Sequence, residues 1–189
     1  MNYPELLLIP VAMLLDYYLT ILGEIYRKKG YNRHFKVEHY ELNPSFQSEI
    51  KNIQRISPKF LLRVALVSII LIVLLEIVAE SIYVDLILGY FLVSRGTIIG
   101  AHLSNIVIFR SIIQNPQQLS GEVSMNQDFL LISSMVKYLV VWVPLVIILV
   151  FSPSYFLAGG VLGTTQIIWL QYSWLRKLRK TNAKASSEF

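Results

Sequence analysis

Ionisable and amide side chains stand in stretches otherwise rich in Leu, Ile, Val and Phe, among them Asp16, Glu76, Arg95, His102, Lys137 and Gln166. An unpaired ion in hydrocarbon costs about 2.5–3.5 kcal/mol on insertion scales, so such residues pair with one another or line a polar path. Asp16 and Thr20 are four residues apart and Arg95 and His102 seven, spacings that put each pair on one side of a helix. Asn105 follows three residues after His102. Counted at about 1.5 Å per residue from the outer ends of their helices, Asp16 and Arg95 both lie about 15–18 Å deep, near a membrane midplane, where they can pair. Two chemistries suit this set. One is a polar cavity that binds a substrate or relays protons or ions. The other is an internal ion-pair network that sets helix register, with Lys137 snorkelling toward the cytoplasmic surface. Asp16, Glu76, Arg95 and Lys137 sum to zero charge, which suits the network; Thr97, His102, Ser104 and Asn105 on one helix suit the cavity.

Metal chemistry has one weak candidate group, His34, Glu38, His39 and Glu41. On a helix His34, Glu38 and Glu41 share a face, whereas the alternation with Val37 and aromatic residues equally suits an extended segment that separates them. Zinc needs three or four converging ligands, which this spacing does not supply, so a solvated, salt-bridged loop is expected, with no metal and no cofactor. The chain has no cysteine, which removes disulfides and thiolate chemistry. H-E-x-x-H, G-x-S-x-G, P-loop and two-Asp prenyl-diphosphate motifs are absent, and Glu76-x-x-x-Glu80 and His102-x-x-Asn105 do not complete an intramembrane protease pattern.

The elements that must hold these residues follow from composition. Of 189 residues, 54% are hydrophobic and 15% charged, against about a quarter charged in ordinary soluble domains. Apolar runs at about 6–25, 60–80, 84–109, 129–151 and 155–175 each approach or exceed the roughly 20 residues that cross a hydrocarbon core as helix. The expected fold is therefore all-α: a polytopic bundle of five transmembrane helices in one domain, 1–180, with a cytoplasmic loop at 27–59 and a disordered tail at 181–189. The first run lacks a basic leader and carries Asp16, so it reads as a permanent span rather than a cleaved signal. Among 17 Lys and Arg, all but Arg95 and Lys137 flank spans, and an outside N-terminus places every flanking one in the cytoplasm. The orientation is N-out, C-in. The net charge of +5 then reflects topology and contact with anionic lipid at the cytoplasmic face, not nucleic acid. A hairpin at Glu80–Asp85 is needed because the run from Phe60 to Phe109 is too long for one span; Ser152-Pro153-Ser154 makes the last hairpin.

Within the loop, Gly30 after Arg27-Lys28-Lys29 ends the first helix through its permissive φ. Asn43 as cap, Pro44 at the first helical position, and Phe46, Ile50, Ile53 and Ile56 on one face predict a short interfacial helix up to Ser57, lying on the inner leaflet, capping the bundle or docking a partner. Gly96 and Gly100 form a small-xxx-small pair beside Gly89 on the third span, and Gly159 and Gly163 do the same on the fifth, so these faces are expected to pack closely, within the chain or between copies. Asp16 and Thr20, with Glu41-Leu42-Asn43-Pro44 after them, resemble the Asp/Thr and E-x-N-P pattern of a family of small uncharacterised prokaryotic integral membrane proteins. The similarity covers about a quarter of the chain and implies no activity; it raises the interest of Asp16, Thr20, Glu41, Asn43 and Pro44.

The leading reading is a multi-pass protein of a prokaryotic cytoplasmic membrane that serves as a structural or accessory component of an assembly, partnered by lipids and by other membrane subunits or its own copies. Its rival is a small transporter or channel with Asp16, Arg95 and His102 along the path. A membrane-embedded enzyme acting on lipid or peptide is the third.

Overall fold

The computed structural model describes residues 4–37, 40–78 and 80–186, with the side chains of residues 75, 76, 78, 118 and 184–186 outside the description. A 3-10 turn, Pro4–Leu7, leads into α1 (Leu8–Lys29). The loop after it holds β1 (Phe35–Val37) and α2 (Gln47–Lys51), followed by α3 (Pro58–Val78) and α4 (Ser81–Gln114). β2 (Val123–Met125), α5 (Gln127–Phe151) and α6 (Tyr155–Ser186) complete the chain. Among the described residues, three helices are long and apolar enough to cross a membrane: Pro4–Lys29, Ser81–Gln114 and Gln127–Phe151. α6 is more polar, carrying Thr164, Thr165, Gln166 and Gln171.

Helix starts follow local hydrogen-bond chemistry. Ser57 Oγ accepts from Phe60 N at 3.2 Å ahead of Pro58, Asn126 Oδ1 from Phe129 N at 2.9 Å, and Ser154 Oγ from Leu157 N at 3.2 Å, each satisfying an otherwise orphan amide. The expected hairpin over Glu80–Asp85 is tighter than anticipated: Glu80 is already the extended cap and α4 begins at Ser81. Ser81 and Asp85 suit the N-terminal end of a helix, where amides and the dipole favour polar and acidic side chains. The tail differs too. α6 continues to Ser186 where disorder was expected from Thr181, because Arg176–Lys180 and the alanines that follow are good helix formers.

The interfacial helix is much shorter than Asn43–Ser57. Asn43 builds a turn instead, its Oδ1 accepting from Ser45 N at 3.1 Å and its carbonyl from Phe46 N at 3.1 Å, so Pro44 sits in that turn and helix begins only at Gln47. Ile53, at φ 54°, ends it. Phe46 and Ile50 are buried in the bundle core with Ile53 packed beside them, while Ile56 is exposed; the segment caps the bundle rather than floating on a leaflet. Tyr17 of α1 holds it down, stacking on Phe60 with centroids 4.3 Å apart and donating to the Gln54 carbonyl at 2.7 Å.

α1 packs against α3 and α4, α4 against α6, and α6 against α5, so the long helices form a row in the order α3, α1, α4, α6, α5. The fifth span, α6, therefore lies between the third, α4, and the fourth, α5. Gly89, Gly159 and Gly163 make the α4–α6 contact: a methyl group at Gly89 would strike the Phe156 carbonyl oxygen, at Gly159 that of Leu86, and at Gly163 that of Tyr90. Gly96 and Gly100 do not share this role, since nothing lies within 4 Å of a methyl placed at either. Gly30 has φ −170°, extended backbone open to any residue; its need for glycine comes from Ile113, whose Cγ1 a methyl would approach to 2.7 Å.

At the cytoplasmic end expected from the charges, β1 and β2 pair in parallel, Phe35 opposite Val123, joining the two longest connections. Beneath them Arg27 and Glu24, both buried, form a two-pronged pair at 2.6 and 2.8 Å, and the guanidinium also donates to Asn32 and to the Val37 carbonyl. Four of the five guanidinium N–H groups are thereby used, which makes its burial tolerable.

Candidate functional site: a polar cavity inside the bundle

α1 presents Asp16 and Thr20 to α4 because Ile9, Met13, Tyr17 and Ile21, on the adjacent stripe, are buried in the core. α4 answers with Arg95 and, two turns on, His102. Arg95 Nη1 lies 2.7 Å from Asp16 Oδ2. His102 Nε2 lies 3.3 Å from Asp16 Oδ1 and 3.0 Å from Thr20 Oγ1. Thr20 donates its own proton to the Asp16 carbonyl at 2.8 Å, so its hydroxyl oxygen is the acceptor toward the imidazole. This network assigns the proton to Nε2 and leaves Nδ1 to accept from the Tyr40 hydroxyl, 3.3 Å away.

Tyr40 reaches that position from the loop after α1. It lies directly over Gly23, where any side chain would collide with its ring and hydroxyl, and its ring meets Phe109 edge-on at 5.8 Å. Burial pushes its phenol well above the ordinary range. Glu41 follows into the same cavity. Its carboxyl is raised to about 7, first by burial and secondarily by Asp16, against the Asn43 amide it accepts from at 2.7 Å and against His102 and Arg95. A carboxyl so placed exchanges its proton near neutral pH.

These groups line one cavity of about 1080 Å³ that runs between all five long helices and under the loop. Its wall includes Arg63 from α3, Arg95, Asn105 and Gly100 from α4, Ser134, Lys137 and Tyr138 from α5, and Gln166 and Gln171 from α6. Tyr90 hydrogen-bonds Gln166. Gln171, 5% exposed, donates to Ser134 Oγ at 2.9 Å, but its own oxygen is buried with no partner among the described residues.

The structure thus unites Asp16, Thr20, Arg95 and His102 in direct contact and gathers Asn105, Lys137 and Gln166 around the same space. Glu76 lies in α3, with its side chain outside the description. Of the weak metal candidates, Glu38 and His39 lie outside the described residues; His34 meets the Gly121 carbonyl at 3.1 Å beside the strand pair, while Glu41 faces the cavity. No group of three metal-ligand types occurs among the described residues. The loop's Tyr40 and the wall residues Arg63, Ser134, Tyr138 and Gln171 were not singled out from sequence. Gln171 carried a signal, an amide within an apolar span like Gln166; Arg63 was counted among charges flanking a span. The set can bind polar and charged groups and pass a proton along Tyr40, His102 and Asp16.

No protein-family model matches the chain, and neither a curated protein nor a solved structure matches it.

Proposed function

We propose that this chain is a multi-pass membrane protein whose internal cavity binds a polar or amphiphilic ligand and moves or presents it, the transporter class of function. The observation that carries this reading is the cavity of about 1080 Å³ with the Asp16–Arg95–His102 contact in its wall. A network that served register alone would close on itself; this one borders open space and leaves Lys137 and Gln171 facing it. Five spans, N-out and C-in, suit this reading: α3 has 21 residues, about 30 Å of helix, and α6 carries the basic run from Arg176 to Lys180 in its C-terminal part. Basic residues at that end meet anionic headgroups of a prokaryotic cytoplasmic membrane. Glu41, Leu42 and Asn43 line the same cavity as Asp16 and Thr20, which supports treating the two short motifs of the resemblance as one unit.

Native mass spectrometry of gently extracted protein tests this. The expected spectrum holds a stoichiometric small molecule or lipid that is lost in Asp16→Asn and Arg95→Gln while the oligomer persists. Equal retention by both variants would end the cavity reading. A second reading, an accessory subunit of a membrane assembly, is favoured by Gly96, an exposed small position in α4 with space above it. Other subunits at fixed stoichiometry in the same spectrum would move the conclusion there.

A further inference from the structure

The ligand class follows from the charge and the walls of the cavity, given that the cavity is a ligand site. We infer that it takes the anionic headgroup of an amphiphile, a phosphate or carboxylate carried on a hydrocarbon chain, entering sideways between α3 and α5.

Three cations, Arg63, Arg95 and Lys137, line the cavity against two carboxyls, Asp16 and Glu41. Asp16 is committed to Arg95 and His102. Arg63 has no carboxylate partner among the described residues and rests over the Phe46 ring at 5.6 Å; Lys137 likewise has none. Arg63 lies within electrostatic reach of Arg95, a repulsion that an anion between them converts into attraction. The orphan Gln171 oxygen adds an acceptor for a hydroxyl on the headgroup.

The route follows from the order of helices. α3 and α5 end the row, both line the cavity, and they do not pack on one another to any extent. A row curled about a cavity with unjoined ends opens sideways, toward lipid. Arg63 on α3 and Lys137 on α5, both exposed, stand one on each side of that opening. Val67, Phe91, Phe129, Leu130, Val141 and Ile167 supply apolar wall for a chain. A free hydrophilic anion would have no use for such a wall; a headgroup that keeps its tail in the bilayer would.

The full-length protein in phosphatidylcholine nanodiscs carrying a trace of fluorescent phosphatidylglycerol tests the assignment, with fluorescent phosphatidylcholine and inorganic phosphate as comparison arms. Binding of phosphatidylglycerol is expected to fall about tenfold in Arg63→Gln/Lys137→Gln, and similarly in Gly100→Leu, whose side chain grows into the cavity. Lys177→Gln/Lys180→Gln, at the exposed basic end of α6, should leave it within twofold. Phosphatidylcholine should bind weakly to every variant, and millimolar phosphate should not compete. Unchanged phosphatidylglycerol binding in both cavity variants overturns the proposal, as does an equal loss in the α6 variant, which would mark surface adsorption. Full competition by inorganic phosphate would assign the site to a free anion and overturn the lipid source. A different small molecule retained in native spectra and lost in Asp16→Asn would overturn the anionic amphiphile while leaving the cavity reading standing.

Discussion

At the scale of single residues, Asp16 is the hub, because among the described residues it alone pairs with both Arg95 and His102. Removing its charge leaves a guanidinium in a low-dielectric setting with no counter-ion, the costly direction for a buried pair. Asp16→Asn and Arg95→Gln should each lower the thermal midpoint in detergent, and the double variant should fall by less than their sum. The coupling from such a cycle is expected at about 1–3 kcal/mol; simple additivity would show that the contact carries no stability. Glu41 makes a second prediction. Its carboxyl is raised from 4.5 to about 7 in the folded protein, so the neutral form is the one the fold accommodates. The stability attached to that form is fully present below about pH 4.5 and is lost as pH rises through about 7. Asp16, Arg95 and His102 face it. The comparison is therefore between wild type and Glu41→Gln, both with His102 in place: the wild-type midpoint should drop more steeply between pH 5 and 8. Parallel profiles would show that Glu41 ionises without cost.

Among the elements, the α4–α6 contact is the most demanding, since backbone lies where a β-carbon would go. Gly89→Ala or Gly159→Ala should force the helices apart and destabilise the fold by about 1–3 kcal/mol, an overpacking cost, read as a lowered midpoint. Gly96→Ala should do the reverse by up to about 1 kcal/mol, because it meets nothing and alanine is the better helix former. If Gly96→Ala matched Gly89→Ala in damage, a contact on the outer face of α4 would have to exist in the membrane. The six glycines of these two helices look alike in sequence. Which of them meets a neighbour depends on helix rotation, and a spacing of four residues recurs on every face.

For the whole molecule, orientation is the testable property, and the absence of cysteine makes each introduced thiol unique. Ser152→Cys should react with a membrane-impermeant maleimide added outside intact cells, while Lys180→Cys should react only after permeabilisation. The opposite pattern would invert the topology and with it the side from which Tyr40 and Glu41 close the cavity.

How much of this was legible depends on the range of the physics involved. Apolar runs, breakers and flanking charges are local or additive, so helix number and the approximate limits of the long helices could be read from the chain, and so could the chance that Asp16 and Arg95 meet at one depth. The cost of burying an ion narrows its partners to a few, which made that pair accessible from residue types alone. The loop resisted the same treatment. Asn43-Pro44 and the face of Phe46, Ile50, Ile53 and Ile56 fit a helix locally, but an Asx turn and the burial of Phe46 and Ile50 against Phe60 won over local propensity. The cavity was out of reach for a related reason. Its walls come from five helices whose order in space, α3, α1, α4, α6, α5, differs from their order in the chain. That order was settled by glycine-to-backbone contact between α4 and α6, which sets α6 between α4 and α5.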